Sequence, residues 1–235
     1  MSARTLLKIK FICTKLQFQV GKFKKVKKMA MTLENPLEIL SNAAIMALPI
    51  EERSELFTVY DLEKLPESNL FRYELIKGEI IVSTAPRYIH QLVVSKIVGE
   101  IGIYLDENPI GDVVAGPGLI FNIYDAVIPD VIFISNQRRD DILQAEDDKL
   151  HGAPELAIEI VSPGKANARR DRLQKLELYN QFGVGEYWVI APRSSAAEIY
   201  RRAKKGLKLA QNLTENDELT TPILPGFVCQ LKSLF

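Results

Sequence analysis

Two short segments are almost entirely apolar, and they constrain the fold more than anything else in the chain. Residues 128–135 read Ile-Pro-Asp-Val-Ile-Phe-Ile-Ser and residues 155–161 read Glu-Leu-Ala-Ile-Glu-Ile-Val. A strand that is apolar at nearly every position is buried on both faces, which requires layers above and below its sheet. The other elements supply such layers. Pro86 opens a helix predicted over 87–107 that Asn108-Pro109 ends, and a second helix is predicted over 166–182. Tyr73–Ile76 and Glu79–Ser83 alternate about Lys77-Gly78, a hairpin with a tight turn. Further strands are expected at Asp112–Ala115, Leu119–Tyr124 and Glu186–Ala191, with Glu198–Arg201 and Leu207–Ala210 flanking a Lys-Lys-Gly turn. Short helices are expected around Glu51–Thr58 and at Tyr60–Leu65, where Pro66 stops the second. Residues 137–151, with eight of fifteen charged, read as an exposed loop or short helix, and a short tail closes the chain. Strands and helices alternate in the middle with hairpins at both ends. The fold class is α/β, a mixed central sheet with flanking helices and terminal β-hairpins.

The 235 residues are 47% apolar and 26% charged, enough for one sizeable core and too little polar bias for a disordered chain. Thirty basic residues balance thirty acidic ones, but nine of the basic ones precede the first acid, Glu34, so residues 29–235 carry 21 against 30, a net of −9. That excludes a protein that coats nucleic acid with a broad basic face; any such contact is local. Residues 1–31 have no acid and carry methionines at 29 and 31, which suits a start codon set too far upstream, a basic arm for phosphates or a disordered tail. Residues 32–57 form a lead-in, and 58–235 the main domain. Cys13 and Cys229, 216 positions apart, give neither a disulfide framework nor a metal knuckle. No apolar run approaches the roughly 18 residues of a membrane span. A cytoplasmic globule is expected.

The chemistry is signalled by ionisable residues at apolar positions. Glu159 interrupts one buried run and Asp130 the other. A buried carboxylate must be paired or bind a metal, because desolvation alone is prohibitive. Two inward acids on two buried strands suit a hard cation; strand-end capping or arginine pairing would also satisfy them. Lys175 falls in the helical arc of Ala168, Leu176, Tyr179 and Phe182, which should face the sheet, so it points inward or snorkels along the rim. Asp171, four residues earlier, is a candidate partner. His90 sits among Val93, Val94, Ile97 and Ile101 on the apolar face of helix 87–107. It reads as a hydrogen-bonded core histidine, with a place in a site as the alternative. Glu74 and Glu79 flank the hairpin turn as ordinary charges or as a further metal-site acid. Phosphate-loop, HExxH and GxSxG motifs are absent. Gly183-Val-Gly185 precedes a strand, so it reads as a helix C-cap.

An acid after proline on one strand, an acid on the next and a nearby lysine resemble the PD-(D/E)XK nuclease pattern: Pro129-Asp130, Glu159 and Lys175. Residues 73–79 (Tyr-Glu-Leu-Ile-Lys-Gly-Glu), His90, 154–163, Lys175 with Tyr179, 183–190 and 222–227 follow in order. This set is similar to a bacterial family of restriction-endonuclease-like proteins, over about residues 58–235. The resemblance implies a restriction-endonuclease-like core and Mg²⁺-dependent hydrolysis of phosphodiesters in DNA, with Mn²⁺ as a substitute. It implies Asp130 and Glu159 as metal ligands, with the Ile160 carbonyl as a further one. Lys175 would position the attacking water, Glu79 (before Glu74) would be the additional acid, and His90 would lie beside it. The pattern's lysine two residues after the second acid is here Val161, which leaves that role to Lys175 on the following helix. Lys165, Arg169, Arg170 and Arg172 would form a small basic strip, and a homodimer would suit cleavage of two strands. The alternative is a non-catalytic nucleic-acid-binding or protein-interaction module that retains the fold.

Overall fold

The computed structural model describes residues 56–66, 71–162 and 173–235. The readings made for residues 1–31, for most of the lead-in, for the first part of helix 166–182, and for Lys165, Ala168, Arg169, Arg170, Asp171 and Arg172 lie outside them. A single helical turn, α1 (Val59–Leu62), is held by a capping box between Thr58 and Asp61. The hairpin follows as β1 (Phe71–Ile76) and β2 (Glu79–Thr84). Lys77 and Gly78 both adopt positive φ, 53° and 74°, the backbone of a primed two-residue turn. A Cβ on Gly78 would also come within 2.7 Å of the Leu56 side chain.

Helix α2 (Tyr88–Glu107) then leads to β3 (Gly111–Ala115), β4 (Leu119–Asn122), β5 (Asp125–Val127) and β6 (Val131–Ser135). The strand expected over Leu119–Tyr124 is cut short. The Asn122 side chain accepts from Tyr124 N–H at 2.6 Å, and this local turn folds β4 back onto β5. β6 begins after Pro129, which has no N–H to give a ladder. The charged stretch becomes α3 (Asn136–Ile142), capped by the Ser135 hydroxyl, and two short strands, β7 (Leu143–Gln144) and β8 (Lys149–Leu150).

The chain continues through β9 (Leu156–Ile160), α4 (Lys175–Phe182), β10 (Glu186–Ala191), β11 (Ala196–Ala203), β12 (Gly206–Thr214), β13 (Glu218–Thr220) and β14 (Val228–Gln230). Gly183, with φ 91°, closes α4 in the left-handed conformation, its N–H bonded to Tyr179 O.

The fold is the expected mixed α/β, but with two large sheets. The central one runs β12-β11-β10-β9-β6-β3; the second runs β2-β1-β5-β4-β8-β7. In the central sheet β9 and β10 are parallel and the other neighbours antiparallel. Its middle strands are apolar at nearly every position because both faces are covered. Val131, Phe133, Leu156, Ile158, Ile160, Trp188 and Ile190 face α2 and the C-terminal segment. Ile132, Ile134, Ala157, Tyr187 and Val189 face α4 and the second sheet. On α2, Val93, Val94, Ile97 and Ile101 are buried, each contributing roughly 1.5–3 kcal/mol. The closing tail is a lid on this core, with Leu219, Leu224, Leu231 and Leu234 at 1% exposure or less. Among the described residues no helix is long and apolar enough to cross a membrane.

Candidate active site

Strand alternation decides where Glu159 goes. Ile158 and Ile160 point to the α2 side, so Glu159 shares the opposite face with Ala157 and meets α4. There it is 3% exposed, with Oε1 accepting from Lys175 Nζ at 2.7 Å and from the Tyr179 hydroxyl at 2.9 Å. Lys175 is the first residue of α4 and Tyr179 lies one turn on, so both reach the same carboxylate. Burial first, then the charge on Glu159, push the Tyr179 phenol well above its ordinary value, so it remains a donor. Lys175 is 2% exposed, and the inward reading of its helical angle holds.

A second carboxylate shares that ammonium. Glu74 Oε1 lies 2.9 Å from Lys175 Nζ and also accepts from Ile128 N–H at 2.9 Å. The Lys175 cation is thus set between two buried acids from different sheets, an arrangement that offsets their charges at low dielectric.

Asp130 stands at the entry to β6. The β6–β9 register pairs Val131 with Ile158, so one step further Asp130 comes opposite Glu159. Its Oδ1 lies 2.9 Å from His90 Nε2 and its Oδ2 accepts from Ile160 N–H at 2.8 Å. An ionised Asp130 can only accept, so Nε2 carries the hydrogen, and Nδ1 faces Ser162 Oγ at 3.3 Å. Burial acts to raise the Asp130 carboxyl, but the His90 hydrogen bond and charge, the Lys175 charge and the Ile160 N–H together hold it below the ordinary carboxylate range. His90 is therefore both a satisfied core histidine and a direct partner of a site acid. Arg72 Nη1 adds a cation 3.8 Å from Asp130 Oδ1.

Among the described residues Glu79 makes no side-chain hydrogen bond to this network. The hairpin register sets it opposite Ile76 and diagonal to Glu74 on the same face. Its Oε1 is buried with no hydrogen-bond partner. Of the two hairpin acids, Glu74 touches Lys175 and Glu79 carries the unmatched oxygen. Sequence reasoning missed Arg72 and the bond from Tyr179. Both had a signal: Arg72 is two residues before Glu74 on one strand face, and Tyr179 is four residues after Lys175.

A model of the Uma2 family, described as putative restriction endonuclease, matches residues 59–232. The chain belongs to this family. A crystal structure of a putative nuclease belonging to DUF820 from Anabaena variabilis ATCC 29413 is similar in fold, with 20% identity and a TM-score of 0.61, over 76% of this chain and 97% of that one. No curated protein matches.

For a Uma2 chain the question is whether these residues suit a divalent cation. Among the described residues no three His, Cys, Asp or Glu side chains already converge as a metal group. The donor chemistry nonetheless fits a hard ion. Asp130 and Glu159 are buried carboxylates at facing positions, and the unpartnered Glu79 Oε1 is a further oxygen donor left without a hydrogen bond.

Proposed function

We propose that this chain is a metal-dependent endonuclease that hydrolyses phosphodiester bonds in DNA, with Mg²⁺ as its cation and Mn²⁺ as a substitute. The observation that carries this reading is the convergence of Asp130, Glu159 and Lys175 from β6, β9 and α4 in a chain of the Uma2 family. Asp130 and Glu159 would hold the cation, with Glu79 as a further acid. When bound, the cation supplies Lewis acidity toward a phosphoryl oxygen.

The chain's own groups do the positioning. His90 fixes the Asp130 carboxylate through Nε2–H, and Tyr179 fixes Glu159. Lys175, anchored by Glu159 and Glu74, holds its ammonium where it can orient a water for attack on phosphorus and offset charge building on the phosphate. Two copies of the chain would bring one such site to each strand of a duplex, which analytical ultracentrifugation tests.

Two observations favour the alternative, a non-catalytic nucleic-acid-binding or protein-interaction module. Both Asp130 oxygens already have partners, and no three-residue metal group is formed among the described residues. Supercoiled plasmid and single-stranded DNA, incubated with and without Mg²⁺ or Mn²⁺, separate the two. Nicking that needs metal and is lost in Asp130→Ala, Glu159→Ala and Lys175→Ala supports the nuclease. Nicking that survives Lys175→Ala removes the role given to the lysine. No cleavage and no metal binding by the folded protein leaves the non-catalytic module.

A further inference from the structure

A cleft beside the site plays no part in the chemistry above. β1 and β5 are joined at one register pair, Leu75 with Ala126. Between α1, the outer half of β1 and the end of β5 lies a cavity of about 570 Å³, whose wall includes Leu62, Glu63, Phe71, Arg72, Tyr73, Ile128 and Lys149. Two of these tie it to the site: Ile128 N–H donates to Glu74, and the Arg72 guanidinium stands 3.8 Å from Asp130. At that distance Arg72 attracts Asp130 without hydrogen bonding to it. His90 and the Ile160 N–H already satisfy Asp130, so the Arg72 donors, with the side chain 36% exposed, are kept for another acceptor. Lys149 is similar, 3.8 Å from Asp147 and 40% exposed.

We propose that this cleft is a nucleotide subsite: it takes one unpaired nucleotide of the substrate strand, with its base among Phe71, Tyr73 and Ile128 and a flanking phosphate on Arg72. The inference rests on the nuclease reading for the identity of the ligand as nucleic acid. The volume lies within the roughly 300–1,000 Å³ of small-ligand sites. Two aromatic rings and an aliphatic wall suit the faces of a base, which stacks on aromatic side chains whatever its identity. The Arg72 guanidinium, which reaches the cavity from the face of β1 that Glu74 shares, matches a phosphate in charge and in geometry. Because residues 29–235 carry a net charge of −9, phosphate has to be held at local cations such as Arg72 and Lys149. A base stacked inside an intact duplex cannot enter, so the substrate class is a strand with an unpaired nucleotide: single-stranded DNA, or a duplex with a mismatch or flap.

The test is fluorescence anisotropy of the full chain in EDTA with a labelled 12-nucleotide single strand and with the same sequence as a duplex. The single strand should bind at least about tenfold more tightly, and Phe71→Ala and Arg72→Gln should each weaken it by about tenfold. Arg72→Gln should also lower the salt slope by about one phosphate contact. Circular dichroism checks folding; should Phe71→Ala not fold, the partly exposed Arg72→Gln carries the test. Equal affinity for the two forms, or single-strand binding unchanged in Arg72→Gln, overturns the subsite. No nucleic-acid binding by the folded chain also overturns it and assigns the cleft to an apolar partner. The binding assay needs no cleavage, so the two readings fail separately. Plasmid nicking without strand preference removes the subsite alone, and strand preference without nicking removes the nuclease alone.

Discussion

Replacing His90 by leucine tests the electrostatics of the site directly. The side chains of His90 and Asp130 are each 10% exposed, and Nε2 lies 2.9 Å from Oδ1. Leucine fills much of the same space but donates nothing. Asp130 then keeps the Ile160 N–H and the charges of Lys175 and Arg72, and loses its foremost stabilising partner while its desolvation persists. Leaving a buried charged acceptor without its donor costs about 2–3 kcal/mol, which is about 5–10 °C in Tm for a domain of this size. The pH dependence has a definite sign. Wild-type Asp130 is held below the ordinary carboxylate range, so its contribution is present at neutral pH and is lost as pH falls through its folded-state value. In His90→Leu the largest contribution that lowers the carboxyl is gone while burial remains, so Asp130 titrates at higher pH than in the wild type. Urea denaturation at pH 7 measures the loss, with His90→Gln, which restores a donor, recovering part of it. A loss under about 1 kcal/mol, or no recovery in His90→Gln, refutes the assignment of His90 as the donor to Asp130.

Lys175→Met leaves Glu74 and Glu159 buried without their shared cation and should destabilise the fold by about 3–5 kcal/mol in urea denaturation; a loss under 1 kcal/mol would mean that the ammonium is not buried as described. Glu79→Leu removes the buried oxygen that has no partner, so without divalent metal it should raise stability by about 1 kcal/mol, seen as a higher Tm. Added Mg²⁺ should then stabilise the wild type more than this variant; a lower Tm for Glu79→Leu would show that the oxygen is satisfied in solution. Glu186, at 1% exposure, accepts from Trp188 Nε1, Arg201 Nε and the Thr221 hydroxyl. Thr221→Val should cost about 1–2 kcal/mol, followed by the emission of the chain's single tryptophan.

Local chemistry made much of this protein legible from its residues. Pro86 and Asn108-Pro109 bracket α2, Lys77-Gly78 dictates the primed turn, and Gly183 ends α4, because each acts on its own few dihedrals. The nearly continuous apolar runs at β6 and β9 required a sheet covered on both faces, since no half-exposed strand carries such a pattern. The same runs made Asp130 and Glu159 conspicuous, and the helical angle of Lys175 turned it inward. Long-range matters were decided only by the tertiary structure. The Asn122 turn that splits the strand expected over Leu119–Tyr124 lets β5 join β1 across 51 positions of sequence and so creates the second sheet. Of two acids on one face of the hairpin, Glu74 rather than Glu79 meets Lys175, a choice that no local pattern carries. The tail that read as a plain ending likewise became part of the core. Turn and capping preferences are properties of neighbouring residues and can be read along the chain, whereas a buried charge chooses its partner only once separate sheets and helices have packed together and excluded water.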